Sequence, residues 1–282
     1  MLWGGNPVAV SFGVDALPPI AVAAIRFAMA TAFMFFWCWW ERCGLRLSRE
    51  QWVPVLVAGI GLFAQISLFN VGVFLSNSSH GAMLIPTFVF WVNLLDHYVT
   101  KSDVLTPVKM LGLLMATAGV VLILSVTGTS SDGERSLDTA SIRGDLVLLL
   151  SALVLAIKIA YIKHALKTVP PGKLIFWHDL IGVILFCAYS LMFERLSFAA
   201  LSLTTWTALV YQGVVVAGIC FAIQARLLMR HSASQIAVFS FVTPLCGVLF
   251  AVAFRGDLLS PWLIVSTICV AAGIWLIQGV RN

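Results

Sequence analysis

Lys158, Arg26, Asp179, His178, His80 and Asn6 lie within or at the edge of long apolar runs, where an unpaired charge is costly and a partner, a cavity or a function is the rule. Lys158 lies about fourteen residues into a run that begins near Gly144, beyond its midpoint. It either faces a cavity or snorkels toward the end of its run, where Lys163 and His164 follow. Arg26 and Asp179 are 153 residues apart in two runs of matching layout. They form a structural or gating polar pair, or else Arg26 holds a substrate carboxylate and Asp179 carries a proton. His178 is expected on a different helix face from Asp179, as a separate cavity contact. His80 follows Asn77-Ser78-Ser79 at the start of another run, and either titrates with a proton gradient or bonds across helices.

Trp3-Gly4-Gly5-Asn6-Pro7 is the most irregular apolar stretch. Two glycines and a proline weaken a helix and remove a donor, so carbonyls and Asn6 could face a substrate. The competing reading is close helix packing through the glycines. Pro7, Pro86 and Pro244 are expected to kink their helices. The expected substrate-binding set is Trp3, Asn6, His80, Lys158, Tyr161, Trp177 and His178. No catalytic residues, metal ligands or cofactor are expected. The six cysteines lack metal-ligand spacing, and the chain holds no GxxxxGK[ST], no HExxH and no membrane-buried aspartate pair.

Of 282 residues, 61% are hydrophobic and 10% charged, against about 25% charged in soluble domains. Apolar runs of about 20 residues recur, each long enough to cross a bilayer. The class is an all-α polytopic membrane protein whose partners are the lipid bilayer and a small molecule. The net charge of +5 resides mainly in loops, so topology rather than nucleic acid explains it. Nothing in the sequence requires more than a monomer.

Asp103 to Gly119 returns as Asp257 to Gly273, 154 residues later, with five of seventeen positions identical. Trp52 and Gly59 match Trp206 and Gly213 at 154, Glu41-Arg42 match Glu194-Arg195 at 153, and Pro18-Pro19 match Pro170-Pro171 at 152. The chain is therefore expected to be a duplication, with residues 1–126 one copy, 127–143 a linker and 144–282 the other. Spans near 18–40, 52–75, 79–99 and 105–126 follow a first run that is short. The second copy supplies spans near 144–165, 171–192, 204–229, 233–254 and 260–280. Helix 1 is expected to be truncated at Met1, because its counterpart implies a start about eight residues earlier. Ten helices, five per copy, put the second copy upside down, an inverted-topology repeat. With a cytoplasmic amino end, eleven basic residues lie inside and four outside, so both termini are placed in the cytoplasm and the linker outside.

The residues Trp3 to Asn6, Pro19 with Arg26-Phe27, SxxxA patterns leading to Pro86 and Pro244, and Asp-x-Leu-[Ser/Thr]-Pro…Ala-Gly closing each copy carry a resemblance. The chain resembles the EamA-like branch of the drug/metabolite transporter superfamily over essentially its whole length. It departs in having Asp103 and Asp257 where glutamate is common, and four more residues from Pro86 to Asp103 than from Pro244 to Asp257. The resemblance implies a ten-helix secondary transporter in the bacterial inner membrane, exporting amino acids, other metabolites or drugs by alternating access. The density of Trp and Phe, with Asn6, His80 and Lys158, is similar to the aromatic-amino-acid exporters of the group. The alternative within transport is a multidrug exporter of lipophilic cations, and outside it a non-transporting membrane scaffold.

Overall fold

The structure is a computed structural model that describes residues 2–99, 106–129, 140–196, 201–231, 236, 240, 242–257 and 260–279. Residues 130–139 of the expected linker 127–143, residues 103–105 and 258–259 of the repeated motif, and most of the small-residue run before Pro244 lie outside the described residues. All described secondary structure is helical: α1 (Asn6–Val14), α2 (Pro19–Trp40), α3 (Arg49–Leu75), α4 (Ser78–Leu84), α5 (Phe88–Tyr98), α6 (Pro107–Thr129), α7 (Ile142–Ala165), α8 (Pro171–Phe193), α9 (Leu203–Val210), α10 (Phe221–Arg230), α11 (Val242–Arg255) and α12 (Pro261–Gly279). A 3₁₀ turn, Ile85–Thr87, joins α4 to α5, and a π-helical stretch, Tyr211–Cys220, joins α9 to α10.

Local chemistry sets the boundaries. Four helices open on proline (Pro19, Pro107, Pro171 and Pro261), where a missing N–H is no loss and φ is already helical. α3 starts at Arg49, earlier than Trp52, because Gln51 Oε1 accepts from Ser48 N at 3.3 Å and secures the extra turn. Ser141 and Ser202 cap α7 and α9, accepting from Gly144 N and Thr205 N at 3.1 Å each. The 3₁₀ turn falls on Pro86, which cannot donate to a helical ladder. Pro7 occupies the second position of α1, after a turn over residues 2–5, so it opens that helix rather than bending it. Pro244 is the third residue of α11, and the segment before it, on which a kink would depend, lies outside the described residues.

Among the described residues, seven segments are long and apolar enough to cross a membrane: Pro19–Trp40, Arg49–Leu75, Ser78–Tyr98, Pro107–Ser125, Ile142–Ala165, Pro171–Phe193 and Leu203–Arg230. Val242–Arg255 and Pro261–Ile277 are shorter apolar helices. Large apolar side chains such as Phe36, Trp39, Trp40 and Leu191 point outward, while Arg26, Gln65, Lys158, His178 and Asp179 are buried. That distribution inverts the soluble pattern and suits a hydrocarbon surround.

Helices from before residue 130 pack on helices from after 140. α2 and α8 run antiparallel: Cys38 Sγ lies 3.2 Å from where a Gly172 Cβ would stand, Phe27 stacks on Phe186 at 5.6 Å, and Ile20 meets Glu194. α3 runs antiparallel to α7, from Gln51 bonding the Thr168 carbonyl at 2.9 Å to Gly72 against Leu148. α6 and α12 cross with almost no side chain between them. A Cβ at Gly112 would lie 2.6 Å from the Gly273 carbonyl oxygen, and one at Gly119 2.8 Å from that of Ser266. The π-helical stretch lies as close to α2, since a Cβ at Gly213 would meet the Arg26 carbonyl at 2.6 Å. Gln212, within it, donates to the Ala9 carbonyl of α1 at 2.8 Å.

Polar ties concentrate at one end of this bundle. Glu194 receives the first-turn amides of α2, Ile20 N and Ala21 N, at 2.9 Å each, and the Ser190 hydroxyl at 2.7 Å. A carboxylate there answers both the unpaired donors and the positive end of the helix dipole. At the same end Arg255 pairs with Asp15, Asp257 accepts from Ser78 and Ser79, and Ser141 donates to the Leu75 carbonyl. Glu41, the counterpart of Glu194, instead pairs with Arg226, and no side chain caps the start of α8.

Candidate functional site

A cavity opens between the helices of the two halves, with about 930 Å³ of space counting its mouth. Its floor and walls come from the start of α1, the middle of α2 and α3, the Pro86 turn, the second half of α7, the start of α8, and α10. Trp3, Asn6, Arg26, Lys158 and His178 line it, as do Pro7 and Pro86.

The lysine is held in place. Lys158 Nζ donates to Gln65 Oε1 at 3.0 Å and lies 5.3 Å from the centre of the Phe221 ring, a cation–π contact. Gln65 is itself fixed to α7, its Nε2 3.3 Å from Ser151 Oγ, which donates to the Gln65 carbonyl at 2.9 Å. Lys158 therefore faces the cavity instead of snorkelling. Phe221 also sits edge-on to Trp3 (6.5 Å) and to His178 (6.1 Å), which makes it the aromatic hub of the wall.

Arg26 behaves differently. It is 1% exposed, its guanidinium lies 4.9 Å from the Phe27 ring centre, and its Nε and Nη1 have no hydrogen-bond partner. It does not pair with Asp179. One carboxyl oxygen is engaged by the neighbour, since His178 Nδ1 lies 2.9 Å from Asp179 Oδ1, and the other, Oδ2, is buried without a partner. The two residues thus act together, not on separate faces, and Asp179 does not line the cavity. Asn6 Oδ1, Trp3 Nε1 and His178 Nε2 are also buried without partners. Buried polar atoms in native structures are normally satisfied, so these unpartnered atoms make the cavity the candidate ligand site.

Three expected contacts lie elsewhere. His80 Nδ1 is 2.9 Å from Asp145 Oδ2, Ser76 Oγ donates to Asp145 Oδ1 at 2.6 Å, and the ring ties α4 to α7 away from the cavity. Trp177 Nε1 donates to the Leu45 carbonyl at 2.8 Å, and its ring packs on Trp52. Tyr161 packs beside His164 and on the apolar core. Conversely, Gln65, Gln224, Ser240 and Thr243 line the cavity without having been singled out. Gln65 carried a usable signal, an amide in the middle of an apolar run. Among the described residues no group of three His, Cys, Asp or Glu side chains could hold a metal ion.

Comparison with known proteins places this architecture. An uncharacterized transporter of Bacillus subtilis is 19% identical over 280 residues, covering 98% of this chain and 92% of that one. Proteins named as probable amino-acid metabolite efflux pumps are similar too. The one from Salmonella typhimurium is 23% identical and the one from Escherichia coli 24%, each covering 98% of this chain and 91% of its own. A solved crystal structure shares the fold at a TM-score of 0.73 and 20% identity, over 98% of this chain and 93% of that one. The profile of the EamA-like transporter family matches residues 1–125 and 142–279. With that match covering both halves, the chain is a multi-pass membrane protein and belongs to the EamA-like transporter family.

Proposed function

We propose that this transporter exports amino acids, aromatic and other neutral ones, or related small metabolites across the bacterial cytoplasmic membrane by alternating access. In this reading it is a ten-helix protein of two inverted five-helix repeats, residues 1–126 and 144–282, with both termini cytoplasmic and the linker 127–143 outside. The antiparallel crossings of α2 with α8 and of α6 with α12 support the inversion, because equivalent helices of an inverted repeat must oppose each other. The observation that carries the function is the cavity between the halves, walled by aromatic rings and by polar atoms without partners.

The proposed orientation also assigns the state. Lys158, Ile162, Ile175 and Leu228 lie toward helix ends that it places in the cytoplasm, so the cavity opens inward. Glu194, Asp15–Arg255 and Asp257 close the other end. A pump for lipophilic cations would need a carboxylate on the wall, and Asp179, the acid beside His178, is not among the lining residues.

The test is counterflow of radiolabelled phenylalanine, tryptophan and threonine into proteoliposomes preloaded with unlabelled substrate. Saturable uptake that falls about tenfold or more in Asn6→Ala or Lys158→Ala is expected, the loss of one hydrogen bond to a charged group. Flat traces for every amino acid, with folded protein, refute the proposal.

A further inference from the structure

We infer that what this site recognises is a single carboxylate on an apolar body, and that the α-ammonium of an amino acid is dispensable for binding. The inference rests on the transport reading of the same cavity and narrows its substrate class.

The asymmetry of the wall carries it. Two basic side chains, Arg26 and Lys158, face the cavity, and among the described lining residues none is Asp or Glu. The two cations are not equivalent. Lys158 is engaged by Gln65 at 3.0 Å and by the Phe221 ring. Arg26 has Nε and Nη1 buried and unpartnered, and a guanidinium keeps its charge in proteins. Each of these donors can give a charge-assisted hydrogen bond to a carboxylate oxygen. No protein carboxylate bonds those donors: Asp179 gives Oδ1 to His178, and its Oδ2 is buried without a hydrogen-bond partner. Among the described lining residues, Arg26 is the one whose charged donors are unsatisfied, and a ligand carboxylate would complete it.

An ammonium finds the opposite environment. Its best partner would be a carboxylate, and the described wall offers only neutral acceptors such as Asn6 Oδ1, beside two basic side chains. The amide can equally turn its donor to a hydroxyl or oxo group. The rest of the lining, including Ile66, Phe69 and Phe221, suits a hydrocarbon or aryl body. Substrates with the carboxylate but without the amine, such as 2-oxo acids and arylalkanoates, fit these groups as well as the amino acids do.

Three probes sharing one aryl body separate the possibilities: phenylalanine, 3-phenylpropanoate and 2-phenylethylamine. The readout is the rise in melting temperature of the purified, detergent-solubilised protein across a concentration series, which reports binding by mass action. Shifts with both carboxylates, and an apparent affinity for the amine at least about tenfold weaker, are expected from the loss of a charge-assisted pair. In Arg26→Gln that still shows cooperative unfolding without ligand, both carboxylate shifts should disappear. Shifts with phenylalanine and phenylethylamine but not with phenylpropanoate overturn the inference and leave amino-acid export standing. A shift with phenylpropanoate alone upholds the inference and refutes amino-acid export. No shift with any of the three overturns both.

Discussion

Removing Gln65 and Lys158 singly and together separates what the lysine does for the fold from what it does for a substrate. In Gln65→Leu the buried ammonium loses its acceptor and keeps only the Phe221 ring at 5.3 Å. Hydrogen bonds to charged groups are worth about 1.5–3 kcal/mol, and an uncompensated buried charge costs more, so about 3 kcal/mol is expected. Ser151 is spared, since its hydroxyl bonds the Gln65 backbone carbonyl, which leucine retains. Lys158→Met leaves Gln65 Oε1 unpaired, a cost of about 1–3 kcal/mol. The double variant replaces both partners by apolar groups of similar shape and should recover about 2 kcal/mol of the summed losses. Thermal unfolding reads this as roughly 4–8 °C of recovered melting temperature for a chain of this size. Additivity within about 0.5 kcal/mol refutes the Gln65–Lys158 bond as the anchor of the lysine. Counterflow on the same variants then answers the functional question. If the double variant regains stability but not transport, the ammonium acts on the substrate. Recovery of both confines it to the wall.

Other outcomes follow from the same geometry. Glu194→Ala uncaps α2 and should lower stability by about 1–2 kcal/mol, whereas Glu41→Ala, which breaks an exposed pair with Arg226, should cost about 0–1 kcal/mol by the same melting measurement. Gly273→Ala places a Cβ 2.5 Å from the Gly112 carbonyl and should cost about 1–3 kcal/mol, while Gly44→Ala, with nothing within 4 Å, should melt like the parent protein. His80→Asn removes the ring that braces Asp145 and should lower the melting temperature while leaving the apparent KM of counterflow unchanged, because that ring lies off the cavity. A KM rise of about tenfold in His80→Asn would return that histidine to the site.

What could be read in the sequence was whatever announces itself locally. Prolines at helix starts, apolar runs of span length and the charges of Arg26 and Lys158 are visible one segment at a time. The exceptions are decided by residues far away. His80 is settled by Asp145, 65 positions on, and Arg26 makes no hydrogen bond to Asp179, one oxygen of which is engaged by the adjacent His178. Two adjacent residues on a helix do not normally face each other, so nothing in the spacing announced that contact. Phe221 is one of nineteen phenylalanines, and only the convergence of Trp3, His178 and Lys158 on its ring distinguishes it. The π-helical stretch is equally silent, since Gly213 matters only through its closeness to α2.

If the two halves are the inverted copies proposed above, the crossing of α6 and α12 also bears on how such a chain can arise. Gly112 and Ser266 are 154 residues apart, as are Gly119 and Gly273, so two of its close contacts, Gly112 with Gly273 and Gly119 with Ser266, have equivalent positions in the two halves. An unfused half with small residues at those two positions would form the same seam with a second copy of itself, inserted the opposite way. Joining the halves therefore demands no new interface. It replaces a concentration-dependent encounter by a tethered one, at an effective concentration in the millimolar range. After that joining each position mutates alone but is still judged against its mate, and a bulky side chain acquired by one half has to be answered in the other.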